Sequence, residues 1–159
     1  MEINGISSDE FVKIYRVLLT YPMGIDLEDY AIFRSGFAEN VRASYAGHIG
    51  TFDGIESLAT WMETAHANLD GSLHRITNVS VLAFGEGWAR VESYVDALLI
   101  KLGHPGGDHF HVHGTYVDDL RLSPSGWLVE EKSFRYVFGS GNFEIVDVEA
   151  ANEAVARLA

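Results

Sequence analysis

The apolar residues of this chain change their spacing at Ser72, from a helical period of about 3.6 residues to a strand period of about two. Four strand-like runs follow, over about residues 72–84, 87–102, 109–122 and 127–138. Each run holds roughly 12 to 16 residues, whereas a typical strand has about five or six. Strands of that length coil strongly. The second half of the chain is therefore predicted to form a curved antiparallel meander with short hairpin turns.

The first half of the chain shows helical patterns. Ser7–Glu10 has the form of a capping box and predicts the start of a first helix. That helix is expected to end near Tyr21, because Pro22 and Gly24 follow. Asp26 is then expected to cap a second helix, since aspartate is a preferred N-cap residue.

A short strand is predicted over about residues 41–47 and a third helix over about 55–69. Helices followed by a run of strands are typical of the α+β class. We expect the strongly curved, mostly antiparallel sheet to wrap around the N-terminal helices as a cone-shaped barrel with an internal pocket. One domain is predicted over residues 1–145, followed by a helical or frayed tail over residues 146–159.

Composition argues against several classes of function. The formal net charge is −12, and the 11 Lys and Arg residues are scattered, so neither nucleic acid nor an anionic membrane surface is an expected partner. The absence of cysteine excludes disulfides and thiolate chemistry. No apolar run is long enough to span a membrane and no signal-peptide pattern is present, so a cytoplasmic location is expected.

Asp26 and His74 are the strongest candidates for chemistry. Asp26 lies at a break between helical patterns, and His74 lies where the meander begins. A carboxylate can hold an imidazole in one tautomer and raise its basicity, which produces a proton-abstracting base near neutral pH. Alternatively, Asp26 is only a helix cap and His74 a surface residue of the strand.

Aromatic residues make up 12% of the chain, and they either line a cavity for an apolar ligand or fill the core. Tyr30 and Trp61 are assigned to the wall of the predicted pocket. Asp96 lies in an apolar stretch of the second long strand. It either points outward or is buried in the cone, where its pKa should rise and it could act as a second acid or base.

His109, His111 and His113 alternate with apolar residues, so a strand places all three imidazoles on one face. Two of them with Asp118 could form a facial metal triad, as in a cupin-like enzyme. The second motif of a cupin is missing, because no His follows His113. No metal is assigned, and the simplest interpretation is a solvated, His-rich strand end.

Several short motifs together resemble the SnoaL-like branch of the nuclear-transport-factor-2-like superfamily, over about residues 7–138. That branch includes scytalone dehydratase, bile-acid 7α-dehydratase and hexachlorocyclohexane dehydrochlorinase. Besides Tyr21 and Asp26, the motifs are Phe37-Ala-Glu-Asn-Val41, Phe52-Asp-Gly54-Ile55, Leu73-His74 with Thr77-Asn78, Gly114-Thr-Tyr-Val-Asp118 and Gly126-Trp127.

The resemblance implies a cofactor-free dehydratase, isomerase or cyclase that acts on a small hydrophobic, possibly polycyclic substrate. It implies His74 as general base and Asp26 as its orienting partner, and it makes Tyr21 a candidate donor to a substrate oxygen. His111 or His113 would be a second acid or base.

Some relatives place a cation on the last long strand, to receive a leaving group or a substrate carboxylate. Here Lys132 and Arg135 occupy that strand, although a salt bridge at the rim suits either residue. A homodimer or homotrimer is expected by analogy with the family. The alternatives are a non-catalytic ligand-binding module on the same fold and, third, a cupin-like metal enzyme.

Overall fold

A computed structural model of the protein describes residues 2–3, 5–45 and 49–159. Six long or medium strands and five helices account for most of these residues. The elements, in chain order, are β1 (Glu2–Ile3), β2 (Ile6–Ser7), α1 (Ser8–Leu18), α2 (Thr20–Asp26), α3 (Tyr30–Ser35), β3 (Phe37–Tyr45), β4 (Gly50–Asp53), α4 (Ile55–His66), β5 (Gly71–Gly85), β6 (Trp88–Ile100), β7 (His109–Ser123), β8 (Gly126–Gly141), a 3-10 turn (Phe143–Ile145) and α5 (Val148–Ala156).

The main sheet has six strands in the order β4-β3-β8-β7-β6-β5, and β1 pairs with β2 in a small separate ribbon. Every pair in the main sheet is antiparallel except β3 with β8. The four long strands lie within one or two residues of the predicted runs until β8, which continues three residues further. The α+β class and the mostly antiparallel curved sheet are therefore confirmed.

Register shifts accommodate the curvature of the long strands. β5 slips relative to β6 between Thr77 and Ser80, and Asn78 there has a φ of 50°. Asparagine tolerates this left-handed conformation better than most residues. Another shift lies between His113 and Gly114 of β7, where the partner strand β8 carries the extra residue Val137; a Cβ at Gly114 would meet the Phe134 ring. Bulges of this kind bend strands and increase their twist.

The predicted first helix is divided, and Pro22 and Gly24 lie inside α2 rather than ending a helix. Pro22 is the third residue of α2, where the backbone N–H would have no partner within that helix, so proline is tolerated. Gly24 is required for packing, because a Cβ there would lie 2.5 Å from the Cβ of Phe33. Asp26 is the last residue of α2, so the prediction that it caps the second helix was wrong.

Asp29 caps α3 instead, and its carboxylate accepts hydrogen bonds of 3.1 Å from the N–H groups of Ala31 and Ile32. The capping box at the first helix is half confirmed, since the Ser7 hydroxyl accepts from the N–H of Glu10. The Glu10 carboxylate bonds Trp127 of β8. The predicted strand over residues 41–47 begins earlier, at Phe37, and its last two positions lie outside the described residues.

The helices pack against one face of the sheet, called here the inner face; the opposite face is the outer face. α5 packs on α4, where Ala151 is fully buried and Asn152 accepts a hydrogen bond from the Trp61 indole N–H. Among the described residues, no helix is long and apolar enough to cross a membrane.

Candidate functional site

The inner face of the sheet, α2, α4 and the C-terminal turn enclose a cavity of about 600 Å³. Its wall is apolar and aromatic apart from two imidazoles and the hydroxyl groups of tyrosines. The lining residues are Tyr21, Tyr45, Ile49, Trp61, Met62, His66, His74, Val95, Ala97, Leu99, Phe110, Val112, Tyr116, Phe134, Tyr136, Phe143 and Val146. A largely apolar cavity with a few convergent polar groups is the usual form of a small-molecule site.

Asp26 and His74 are in direct contact at the wall of this cavity. The Nδ1 atom of His74 lies 2.7 Å from Oδ1 of Asp26, and the backbone N–H of His74 donates to Oδ2, also at 2.7 Å. The Ser72 hydroxyl donates to Oδ1 at 2.8 Å. The predicted proximity of Asp26 and His74 is confirmed.

The local sequence explains this convergence. Ser72 and His74 are two residues apart at the start of β5, so both side chains lie on the same face of the strand. That face meets the C-terminal end of α2, where Asp26 is the last helical residue. The carboxylate of Asp26 is consequently held by hydrogen bonds with the side chains of Ser72 and His74 and with the backbone N–H of His74.

These hydrogen bonds determine the protonation of the pair. Burial alone would raise the pKa of Asp26, but the hydrogen bonds from the His74 ring, the His74 backbone and Ser72 together hold it below its usual value. Asp26 is therefore ionised at neutral pH. An ionised carboxylate beside Nδ1 selects the tautomer with a proton on Nδ1, which leaves Nε2 of neutral His74 as a proton acceptor.

The His74 side chain is only 6% exposed, and His74 lines the cavity. No described residue forms a hydrogen bond with Nε2 of His74. The pair thus presents one free basic nitrogen to an apolar space. That arrangement can remove a proton from a bound molecule, with water largely excluded.

Tyr21 lies next to this base and packs against Tyr116. The ring of Tyr21 lies 6.2 Å from that of His74 and 5.5 Å from that of Tyr116, both edge-on. Burial raises the pKa of Tyr21 to about 12, so its hydroxyl is a donor over the physiological range. The hydroxyl donates to the Met62 sulfur at 3.6 Å, a weak acceptor, and also interacts with the hydroxyls of Tyr45 and Tyr116. Tyr21 therefore presents a phenol donor at the wall of the cavity.

The hydroxyl of Tyr45 is buried and makes no well-aligned hydrogen bond among the described residues; the Tyr21 hydroxyl is a polar neighbour that interacts with it weakly. An unpaired buried hydroxyl costs about 1–3 kcal/mol, so such groups usually have a reason to persist. Tyr45 lines the cavity, where a polar atom of a ligand would satisfy it. Sequence reasoning missed Tyr45 because a tyrosine in a short alternating strand looks like any core aromatic residue.

His66 was also missed. It lies near the end of α4, lines the cavity, and its ring is 5.9 Å from that of His74. Nδ1 of His66 donates to the Met62 carbonyl at 2.7 Å, so Nε2 is an acceptor in the neutral ring. Burial, with a smaller contribution from nearby His74, lowers the pKa of His66 to about 4. A helical period that placed residue 66 on the buried face could have identified it.

Lys132 forms a buried ion pair with Asp118, with Nζ 3.0 Å and 3.3 Å from the two carboxylate oxygens. The expected salt bridge at the rim is therefore in the core. Nζ also lies 3.6 Å from the centre of the Tyr116 ring and 4.8 Å from that of Tyr21. Burial lowers the pKa of Lys132 and raises that of Asp118, while their mutual attraction opposes both shifts. Lys132 does not line the 600 Å³ cavity; it lies behind Tyr21 and Tyr116, which do.

Tyr30 and Arg135 were assigned to substrate contact, and the structure places both outside the cavity wall. The Tyr30 hydroxyl donates to the Met62 carbonyl at 3.2 Å and anchors α3 on α4. Arg135 is exposed on β8. Trp61 does line the cavity, although Asn152 occupies its indole N–H.

Asp96, His111 and His113 were also expected at the pocket, and all three lie on the outer face. The neighbours of Asp96 in β6, Val95 and Ala97, line the cavity, so the intervening side chain points away from it. The pKa of Asp96 is lowered rather than raised, chiefly by a 2.5 Å hydrogen bond with His111.

The facial triad with Asp118 is excluded by the same alternation, because Asp118 is on the inner face and pairs with Lys132. His111 and His113 lie on the other side of the sheet. Asp96 takes the place beside them that the sequence had suggested for Asp118.

Comparison with solved structures places this architecture among known folds. A provisionally named aromatic ring hydroxylase from Novosphingobium aromaticivorans is 18% identical, with 88% of this chain and 98% of that chain covered and a TM-score of 0.79. A provisionally named scytalone dehydratase from the same organism is 20% identical, with coverages of 84% and 88% and a TM-score of 0.75. A type 3 hexachlorocyclohexane dehydrochlorinase from Novosphingobium barchaimii is 14% identical, with coverages of 85% and 91% and a TM-score of 0.74.

At these identities the likeness shows the fold. No curated protein matches the sequence. The profile of the SnoaL-like domain matches residues 8–133, which is most of the chain and extends from α1 into β8. The chain therefore belongs to the SnoaL-like domain family of the nuclear-transport-factor-2-like superfamily.

Proposed function

We propose that this protein is a cofactor-free lyase or isomerase that starts its reaction by removing a proton from a small hydrophobic substrate. The observation that supports this most directly is the free Nε2 of His74, which faces an apolar cavity while Nδ1 bonds ionised Asp26. A base in this setting keeps its strength because few water molecules compete for it.

Asp26 has two roles in the proposed step. Its hydrogen bonds with Ser72 and with the backbone and ring of His74 fix the imidazole in the productive tautomer. Once Nε2 has accepted a proton, the resulting imidazolium lies 2.7 Å from the negative carboxylate and is stabilised by it. General-base catalysis by a positioned side chain contributes about 10²–10⁴ in rate.

Negative charge that develops on a substrate oxygen needs hydrogen-bond donors. Tyr21 and Tyr45 are suited to supply them, because neither hydroxyl makes a well-aligned hydrogen bond to an oxygen or nitrogen atom among the described residues. Donors already oriented in a water-poor site stabilise an enolate more than they would in water. Tyr116 contacts Tyr21, and the positive charge of Lys132 lies over the face of the Tyr116 ring, where it attracts the π electrons.

The cavity favours a substrate with an apolar, ring-containing body. Its volume of about 600 Å³ and its aromatic wall suit a bicyclic or polycyclic compound with one oxygen near the tyrosines. The related folds include proteins named as a dehydratase and a dehydrochlorinase. Loss of water or of a halide after proton removal is the reaction we favour; isomerisation and cyclisation share its first step.

The test does not require the natural substrate. A panel of hydroxylated bicyclic aromatic ketones and chlorinated cyclohexanes is incubated with the protein in D₂O, and exchange and elimination are followed by NMR. We expect a substrate whose kcat/KM falls about 10³-fold in His74→Gln and Asp26→Asn. His109→Gln and Asp108→Asn are matched controls, because both residues are exposed and outside the cavity. Unchanged turnover in the first two variants would sink the proposal.

The second candidate is a ligand-binding module without catalysis. The unpaired Tyr45 hydroxyl and the preformed cavity favour it equally, since both need only a bound molecule. Stoichiometric binding of a panel compound by calorimetry, with neither deuterium exchange nor turnover, would identify this alternative. Exchange that depends on His74 would exclude it.

We also propose that the protein forms a homodimer or homotrimer. Several large apolar side chains of the main sheet are exposed, including Leu82, Trp88 and Leu122, and association would bury them. Sedimentation equilibrium at micromolar concentration should give two or three times the chain mass of 17.6 kDa. A single species with the mass of one chain, 17.6 kDa, would contradict this proposal.

A further inference from the structure

We propose that Asp96, His111 and His113 form a binding site for a divalent transition-metal ion on the outer face of the sheet. The three side chains can each present one ligand atom, and these atoms all lie within 4.8 Å of one another. All three residues are partly buried, so they are held in place while remaining accessible.

The sheet itself builds this site. Asp96 of β6 is directly opposite His113 of β7, and His111 is diagonally next to it, opposite Leu98. His111 and His113 are two residues apart and share one face of β7, where their ring centres are 4.3 Å apart. Sites built on strands are positioned more precisely than sites on loops. Both imidazoles therefore lie on the same face of the sheet as the Asp96 carboxylate.

The donor set indicates the class of ion. Two imidazoles and one carboxylate suit Zn²⁺, Co²⁺ and related ions, whereas Mg²⁺ and Ca²⁺ prefer oxygen ligands. Metal–ligand distances are about 2.0–2.2 Å, so ligand atoms on one ion are separated by no more than about 4.4 Å. Small side-chain rotations would bring this cluster into range. The remaining coordination positions would face away from the sheet.

His111 and Asp96 are already in direct contact in the metal-free protein. Nε2 of His111 lies 2.5 Å from Oδ1 of Asp96, and an ion bound by both atoms would replace that hydrogen bond. Arg75 lies 3.5 Å from the same oxygen and opposes a second positive charge there. We therefore expect binding to be sensitive to Arg75.

This site is independent of the reaction proposed above. The cavity wall next to it is formed by Val95 and Ala97 of β6 and by Phe110 and Val112 of β7, whose side chains point to the inner face. The metal site lies behind that wall. Its presence or absence therefore says nothing about the base His74, and each proposal can fail alone.

The experiment is calorimetric titration of chelator-treated protein with Zn²⁺, repeated with Co²⁺ while visible absorption is recorded. We expect one ion per chain in the micromolar range or tighter, a Co²⁺ band from nitrogen and oxygen ligands, and a rise in Tm on addition of Zn²⁺. His111→Ala and His113→Ala should each weaken affinity at least 10-fold. Asp96→Asn should weaken it to a similar degree.

His109→Ala is the matched control, because this histidine is on the same strand but outside the cluster. Its affinity should equal that of the wild type, while Arg75→Gln should bind a few-fold more tightly. All these variants change partly or fully exposed side chains, and circular dichroism would verify folding. Absence of binding at 100 μM Zn²⁺, or equal affinity in His109→Ala and His111→Ala, would overturn the proposal.

Discussion

Two His–Asp pairs on opposite faces of one sheet make the most informative comparison in this molecule. In the inner pair, Nδ1 of His74 lies 2.7 Å from Asp26; in the outer pair, Nε2 of His111 lies 2.5 Å from Asp96. The inner side chains are 6% and 18% exposed, and the outer ones 32% and 35%. The two contacts are nearly the same, so the surroundings decide what each pair can do.

The surroundings of the inner pair leave a free base. Asp26 is saturated by Ser72 and by the backbone and ring of His74, so all the hydrogen bonds of the carboxylate serve to orient and stabilise this imidazole. The remaining ring nitrogen faces an apolar cavity. This combination is what proton abstraction requires.

The surroundings of the outer pair leave a set of ligands. Asp96 is also close to Arg75 and His113, and the group is accessible to ions in solution. No apolar wall excludes water from His111, whose side chain is 32% exposed. A shared residue motif is therefore not a shared function, because burial and the third partner differ.

The largest expected effect concerns a third ion pair, Lys132 with Asp118, which extends the comparison to full burial. Lys132→Met should lower the free energy of unfolding by about 3–5 kcal/mol, because it leaves the Asp118 carboxylate buried and unpaired. Urea denaturation would measure it. Arg121→Met removes one partner of an exposed pair and should cost at most about 1 kcal/mol.

The double variant Lys132→Met with Asp118→Leu tests the reason. It should recover most of the loss, since a buried pair replaced by apolar groups is often neutral. If Lys132→Met alone costs no more than Arg121→Met, burial does not control the value of these pairs.

The next effect is the pH dependence caused by His66, which lies between Met62 and the inner pair. Its pKa is about 4 in the folded protein and 6.5 in the unfolded chain, so the unfolded state takes up the proton first. The contribution of neutral His66 to the free energy of unfolding should therefore be fully present above pH 6.5. It should be lost as the pH falls toward 4, which lowers the free energy of unfolding by up to about 3 kcal/mol. Urea titrations of wild type and His66→Asn between pH 7 and 4 should diverge; parallel curves would disprove it.

A direct contrast of the two pairs should give a smaller effect. Asp26→Asn should cost about 2 kcal/mol of unfolding free energy at pH 7, because it weakens charge-assisted hydrogen bonds in a half-buried site. Asp96→Asn should cost less than about 1 kcal/mol, since its partners are exposed. Equal losses of stability for Asp26→Asn and Asp96→Asn in thermal denaturation would contradict a difference between the two pairs.

The sign of the pH effect for Asp26 sharpens that contrast. Its pKa is lowered in the folded protein, so its contribution is fully present above the unfolded value of 3.8 and disappears as the pH falls through the folded value. The stability difference between wild type and Asp26→Asn should consequently persist at pH 5 and close only below pH 4.

The smallest expected effect is at Tyr45. Tyr45→Phe should raise the free energy of unfolding by about 1 kcal/mol in the ligand-free protein, because it removes an unpaired buried hydroxyl. The same variant should weaken binding of an oxygen-bearing ligand. Tyr21→Phe is the control and should gain less, since its hydroxyl has the Met62 sulfur. A loss of stability in Tyr45→Phe would mean that the hydroxyl is already satisfied.

Much of the fold followed from local patterns. The change of period at Ser72 predicted four long strands, and the structure has β5 to β8 at nearly those bounds. Helix boundaries were less secure, because Pro22 and Gly24 were interpreted by type alone. A proline in the first turn of a helix and a glycine in tight contact with Phe33 are both compatible with α2.

The residues of the candidate site were likewise only partly predictable from the sequence. Asp26, His74, Tyr21 and Trp61 were identified from the sequence, whereas His66 and Tyr45 were not. Their types carry no signal without knowledge of which face of α4 and of β3 meets the cavity.

The sequence by itself therefore determined the class of fold, the alternation of each strand and the acidic, cysteine-free chemistry available to the chain. Period-2 alternation also put His111 and His113 on one face. Only the tertiary structure decided which face was inside, because a strand's two faces are equivalent until helices cover one of them. That choice made one His–Asp pair a candidate base and the other a candidate metal site.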